Sequence, residues 1–157
     1  MNQHVTRTIK EKFPEYVTDS HAFRGDETVV IKREALLEVA GYLRDGLGFE
    51  FLMDLTAVDY PGREERFEMV YHFFSLSANL RLRLKAPVGG QNPVIASLTP
   101  LWSGANWFER EVYDMFGIKF EGHPDLRRIL MYDTFEGHPL RRDYSLDKRQ
   151  PRLPHRD

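Results

Sequence analysis

The run Leu80-Arg81-Leu82-Arg83-Leu84-Lys85 limits the fold more than any other stretch of this sequence. Alternation with a period of two puts the leucines on one side of an extended strand and the cations on the other, as in an antiparallel strand that is wet on one face. Two neighbouring stretches share the period. Phe67, Met69, Tyr71 and Phe73 alternate with Glu68, Val70, His72 and Phe74. Phe49, Phe51, Met53, Leu55 and Ala57 recur at every second position up to the turn signal Tyr60-Pro61-Gly62. Their short connections favour hairpins.

The preceding segments have other periods. Val5 to Phe13 forms a short helix stopped by Pro14, and Leu36, Val39, Ala40, Leu43 and Leu47 fall at helical spacing, with Gly46 and Gly48 as the stop. Tyr16 to Phe23 and Thr28 to Lys32 read as strands on either side of Arg24-Gly25-Asp26, and Pro87 to Pro93 reads as a loop. The order is helix, two strands, helix, three strands, helix. That is an α+β domain with a mixed or antiparallel sheet and helices packed on one face. It occupies residues 1–118 and is followed by an extended Arg/Pro-rich C-terminal arm over 119–157.

Several function classes are excluded by composition. There are no cysteines, so disulfides, thiolate zinc, a cysteine nucleophile and the usual iron–sulfur ligation are absent from this chain. A net charge of −2 argues against a dedicated nucleic-acid binder. The first residues lack the apolar core of a secretory signal. The charge-free stretch from Ala86 to Phe108 is broken by three prolines and three glycines, so it does not span a bilayer. No glycine-rich phosphate loop is present, because Gly89-Gly90-Gln91-Asn92 lacks the Lys-Ser/Thr that would follow.

The segment Asn106 to Phe116 reads as a helix. Asn106 is placed to cap it, with Glu109 completing a variant capping box, and Gly117 is placed for a left-handed C-terminal cap. Ala105, Phe108, Val112 and Met115 make an apolar face. Trp107, Arg110, Glu111 and Asp114 make another, where Arg110 and Asp114 are four apart and can pair. After Ile118 the chain changes character. Phe120-Glu121-Gly122-His123-Pro124 returns as Phe135-Glu136-Gly137-His138-Pro139, and each copy leads into an arginine pair, Leu126-Arg127-Arg128 and Leu140-Arg141-Arg142. We read one turn design used twice, with the arginines projecting outward.

Three linked stretches carry a resemblance. They are Glu109-Arg110-Glu111-Val112-Tyr113-Asp114-Met115-Phe116-Gly117-Ile118, then Gly122-His123-Pro124-Asp125-Leu126-Arg127-Arg128-Ile129-Leu130, then Gly137-His138-Pro139-Leu140-Arg141-Arg142-Asp143-Tyr144. Together they resemble the signature of the 30 kDa subunit family of respiratory complex I, the NADH–quinone oxidoreductases. Asp54 to Pro61 and Trp102 to Trp107 resemble that family too. Met131-Tyr132-Asp133-Thr134-Phe135 departs from it, standing where the family has a more acidic, Trp-containing linker.

The resemblance implies a non-catalytic subunit in the peripheral arm of a proton-translocating enzyme that passes electrons from NADH to quinone. It implies a place on the cytoplasmic side of a bacterial inner membrane, attached only through the complex. Its partners would be the quinone-site subunit and the iron–sulfur subunits of that arm. NADH, FMN, iron–sulfur clusters and quinone would sit on those partners, with no cofactor, metal or catalytic residue here. The signature residues, from Glu109 and Phe116 to Asp143 and Tyr144, would face the partners. An equivalent subunit of a membrane-bound hydrogenase, or of a dehydrogenase with another electron donor, would look alike.

Two readings of other classes compete with this one. His123 and His138 with Asp125, Glu121 or Glu136 would make a metal-dependent hydrolase. Each histidine sits in a Gly-His-Pro turn without a close third ligand, so bonding to backbone or to a partner carboxylate is preferred. The cationic face Arg81, Arg83 and Lys85 would attract anionic lipid or an acidic partner, but such faces are more often simply solvated.

Overall fold

The computed structural model describes residues 3–153. Helix α1 (Gln3–Lys12) leads into a hairpin of β1 (Val17–Phe23) and β2 (Asp26–Ile31). The hairpin turns through Arg24 and Gly25, both at positive φ, the conformation that matches a tight turn to the twist of its strands. Helix α2 (Leu36–Asp45) buries Leu36, Val39, Ala40 and Leu43, as their spacing requires. Strands β3 (Phe51–Asp59), β4 (Phe67–Ser75) and β5 (Leu80–Val88) then form an antiparallel meander.

The five strands stand in the order β1-β2-β5-β4-β3, and the parallel pair β2–β5 makes the sheet mixed. A separate ribbon pairs β6 (Val94–Ala96) with β7 (Lys119–Glu121) in parallel. These two short strands flank helix α3 (Ala105–Phe116) in the chain, so the ribbon ties the helix's entry to its exit. The expected α+β class holds. β7 is the one strand within 119–153; the rest of that stretch is turns and irregular backbone.

Alternation decides which face is dry. Phe67, Met69, Tyr71, Phe73, Leu84, Ala86 and Val88 have no solvent exposure. They share one cluster with Ile9 of α1, Leu36 and Leu43 of α2, and Val112 and Met115 of α3. Each such large side chain contributes roughly 1.5–3 kcal/mol by leaving water. The other face is polar and half-exposed. There Lys85 pairs with Glu68 at 2.7 Å, Arg83 reaches the Thr28 hydroxyl at 3.3 Å, and Arg81 lies over the Phe74 ring.

Four local expectations need correction. A β-bulge between Leu52 and Asp54 breaks the parity of β3: Phe51 and Met53 turn outward, while Leu52, Leu55 and Ala57 turn inward. Pro87 lies inside β5, not in a loop. It pairs with Glu68 of β4, but β2 reaches only Leu82 to Lys85, so its missing N–H falls on an open edge. Helix α2 stops at Asp45, before Leu47. Helix α3 starts one residue earlier than expected, with Gly104 at its N-cap and no side-chain cap bond. Asn106 therefore caps nothing, and Glu109 is no part of a capping box.

Candidate interface site: helix α3 and the arm it carries

Helix α3 carries two carboxylates that are wholly inside the protein, Glu109 and Asp114. Burying a carboxylate is costly unless donors replace its water. Asp114 has four. Arg128 donates to Oδ1 at 2.6 Å, and the consecutive backbone N–H groups of Ile129, Leu130 and Met131 converge on Oδ2 at 3.1, 2.8 and 2.8 Å. Burial pushes the Asp114 pKa up, but these bonds outweigh it and hold the group below its ordinary range. The expected Arg110–Asp114 pair is not formed. Arg110 instead donates to the carbonyls of Arg127 and Arg128 and lies over the Trp107 ring. Four residues on a helix brought the two groups to adjacent turns, yet the arm runs between them and offers each a better-placed partner.

The second Gly-His-Pro copy closes over the end of the same helix. Nδ1–H of His138 donates to the Asp114 carbonyl at 3.0 Å, and the Leu140 N–H donates to the Met115 carbonyl at 3.1 Å. Arg141 donates to the Phe116 carbonyl. Thus the exposed carbonyls that end any helix are met by the arm. Gly117, at φ 73°, is essential to this closure. A Cβ there would come within 2.6 Å of both His138 and Arg141.

A second anchor sits at the end of β3. Asp59 is 3 % exposed and grips Arg66 with both oxygens at 2.7 Å, while also accepting the Arg142 N–H at 2.8 Å. Arg66 continues to Asp143 of the arm at 2.8 and 2.9 Å. The hydrogen bond from Arg66 is the main cause of the lowered pKa of Asp59, and equally of Asp143. The guanidinium groups of Arg66 and Arg141 both lie over the phenyl ring of Phe67, at 5.2 and 5.3 Å from its centre.

The two echo copies differ in detail. Gly122 and Gly137 share the left-handed conformation, at φ 84° and 92°. The arginine pairs do not both project outward as expected. Arg128 and Arg141 turn inward onto α3, whereas Arg127 and Arg142 stay exposed, Arg127 pairing with Asp125 at 3.0 Å. Arg128 also reaches the Gly137 carbonyl at 3.0 Å, joining the copies. Tyr144 stacks on Phe135 and bonds Gln150.

Neither histidine is arranged as a metal ligand. His123 bonds the Asn106 carbonyl and accepts the Asp125 N–H, and His138 bonds the Asp114 carbonyl. Among the described residues no three His, Cys, Asp or Glu side chains come together as a metal site. Of the remaining signature residues, Phe116 is buried, Leu126 packs on the core, and Glu111, Pro124, Asp125 and Leu140 are exposed.

A family model described as "Respiratory-chain NADH dehydrogenase, 30 Kd subunit" matches residues 29–150. The chain belongs to this family. Relatives named as the C subunit of NADH-quinone oxidoreductase include those of Citrifermentans bemidjiense, 49% identical over 92% of this chain and 90% of the relative, and Geobacter metallireducens, 48% identical over 88% and 86%. Among solved structures, the trypsin-resistant fragment of Nqo5 superposes with a TM-score of 0.70 at 36% identity, covering 79% of this chain and 98% of the fragment. A chain of an archaeal membrane-bound sulfane sulfur reductase has a TM-score of 0.76 at 22% identity, covering 92% of this chain and 85% of that one, a likeness of fold alone.

The family match spans both anchors of the arm. Sequence reasoning found Asp114 but missed Asp59 and Arg66 as members of the site. The signal was present in the parity of β3, where a charged Asp59 follows Leu55 and Ala57 on the core-facing side. No spacing rule could pair it with Arg142, 83 residues on.

Proposed function

We propose that this 30 kDa family member is a brace in the peripheral arm of a proton-translocating NADH–quinone oxidoreductase. It holds the quinone-site subunit and the iron–sulfur subunits in register while contributing no redox centre itself. The observation that carries this reading is the way charge is used on α3 and the arm. Asp114 and Asp59 are spent inside the chain on fixing the arm, and the surface so fixed exposes Trp107, Leu130, Leu140, Leu146 and Leu153. Among the described residues, five of the ten exposed large apolar side chains thus lie on α3 and the arm. A rigid surface of this kind favours a permanent partner, because little ordering entropy remains to be lost on docking.

The electron carriers NADH, FMN, iron–sulfur clusters and quinone belong in this reading to neighbouring subunits. Attachment to the cytoplasmic face of the membrane is through them, and none of the helices described is long and apolar enough to cross a bilayer. In this chain we place the docking contacts on α3 and the arm, residues 119–157.

The test is co-purification. A tagged copy, drawn from gently solubilised native membranes, brings iron–sulfur and quinone-site subunits with it. Recovery of the chain alone, with those subunits assembled elsewhere, ends the proposal.

A further inference from the structure

Glu109 is used differently from its neighbour Asp114. It lies on the inner side of α3, wholly buried, and neither of its oxygens meets a cation at bonding distance among the described residues. Oε2 contacts the Ser97 hydroxyl at 2.6 Å and Oε1 accepts the Leu98 N–H at 2.6 Å. The Ser97 hydroxyl in turn meets Thr99 at 2.8 Å. From the arm, His123 brings Nε2 to 4.0 Å from Oε2, and its side chain is also fully buried. From β4 comes Tyr71, whose buried hydroxyl has no hydrogen-bond partner among the described residues and lies within electrostatic reach of Glu109.

His123 directs both of its ring nitrogens to partners other than Glu109. Nδ1 accepts the Asp125 N–H at 3.0 Å, so the ring's one proton is on Nε2, directed towards the Asn106 carbonyl at 3.3 Å. The carboxyl group therefore bonds one hydroxyl and one amide, with no guanidinium or ammonium group bonded to it among the described residues.

We propose that Glu109 is a carboxylic acid in the folded chain under mildly acidic conditions, and that loss of its proton towards neutrality loosens α3 from the 97–98 segment it is bonded to. The site is a proton-dependent fastener between α3 and the 97–98 segment, at a carboxyl group without solvent exposure. Burial is the main cause of an upward shift in the Glu109 pKa to about 7, against which the Ser97 and Leu98 bonds work. The sign follows. The folded chain keeps a proton that the unfolded chain gives up above about 4.5. The stability contributed by Glu109 is thus complete below 4.5 and is lost as pH rises through about 7.

The test uses the full chain with 13C-labelled glutamate. The side-chain carboxyl carbon of Glu109, assigned through bonds in the wild-type protein, is followed across acidic and neutral pH. It should keep the position of the protonated acid well above 4.5 and change through about 7. In parallel, Glu109→Gln keeps a neutral group of the same shape. The folded-to-unfolded ratio of wild type, divided by that of Glu109→Gln, should fall about tenfold per pH unit between 4.5 and about 7. Taking the quotient cancels His72 and His138, whose lowered pKa values act in the opposite sense over the same range. Titration of Glu109 near its ordinary value of 4.5 overturns the proposal, as does a quotient that does not change with pH. If the glutamine variant fails to fold, the wild-type titration decides alone.

Discussion

Glu109 and Asp114 stand five residues apart on one helix, both without solvent exposure, yet their pKa values move in opposite directions. The difference lies in what they face. Asp114 is met by a guanidinium and three backbone N–H groups, enough to stabilise the anion. Glu109 has one N–H and one hydroxyl, which is not enough. Burial alone does not say whether a carboxylate serves as an ion or as an acid. The count and charge of its donors does. In this chain the first fastens Arg128 and the 129–131 backbone of the arm, and the second bonds α3 to Ser97 and Leu98.

The comparison can be broken by substitution, and the largest effect is expected at Asp114. Asp114→Asn keeps the shape but leaves Arg128 facing an amide and turns one acceptor oxygen into a donor. Breaking a buried, hydrogen-bonded pair costs about 3–5 kcal/mol, and the part-exposed Arg128 puts this case near the lower bound. A urea unfolding midpoint measures it. Asp59→Asn comes next, at roughly 2 kcal/mol, because Arg66 retains Asp143 as a partner. Arg128→Lys should cost about 1–2 kcal/mol, since one ammonium cannot span both Asp114 and the Gly137 carbonyl as the planar fork does. The smallest effect is expected for Glu111→Ala, an exposed position, within about 0.5 kcal/mol in the isolated chain. A loss of partner subunits from the tagged Glu111→Ala chain, with its stability unchanged, would sharpen the division between charges spent inside and charges offered outside.

Acid should separate the two carboxylates as clearly. The lowered pKa values of Asp59, Asp114 and Asp143 mean that their stabilisation is complete above their unfolded value of 3.8 and is lost as pH falls through the folded values. Stability therefore declines below about pH 4 on their account, and declines between 4.5 and about 7 on account of Glu109. Urea melts of Asp114→Asn across acidic pH should show the first decline flattened and the second intact.

The sheet was largely legible because its period is local. Phe67 to Phe73 and Leu80 to Leu84 announce their faces residue by residue, and both faces stand where alternation puts them. The bulge at Met53 was not legible, since one extra residue reverses parity without changing composition. Nor was the fate of the charges on α3. Helical spacing brings Arg110 near Asp114, but spacing holds no information about a backbone arriving from residues 128–131. Pro87 misled because proline argues against a strand, and only the sheet order shows that β5 is open where Pro87 falls. The echo at 120 and 135 was visible at once. That one arginine of each pair turns inward follows from its distance to helix α3, which the sequence does not contain.

Asp114 grips the arm within the chain itself, and the proposed brace depends on that grip. Hydrogen exchange at the amides of Ile129, Leu130 and Met131 in the free, full-length protein tests this most directly. Strong protection in the wild type, lost in Asp114→Asn while β4 and β5 stay protected, is the expected result. Exchange of those three amides at the rate of an unstructured peptide in the wild-type chain would contradict it.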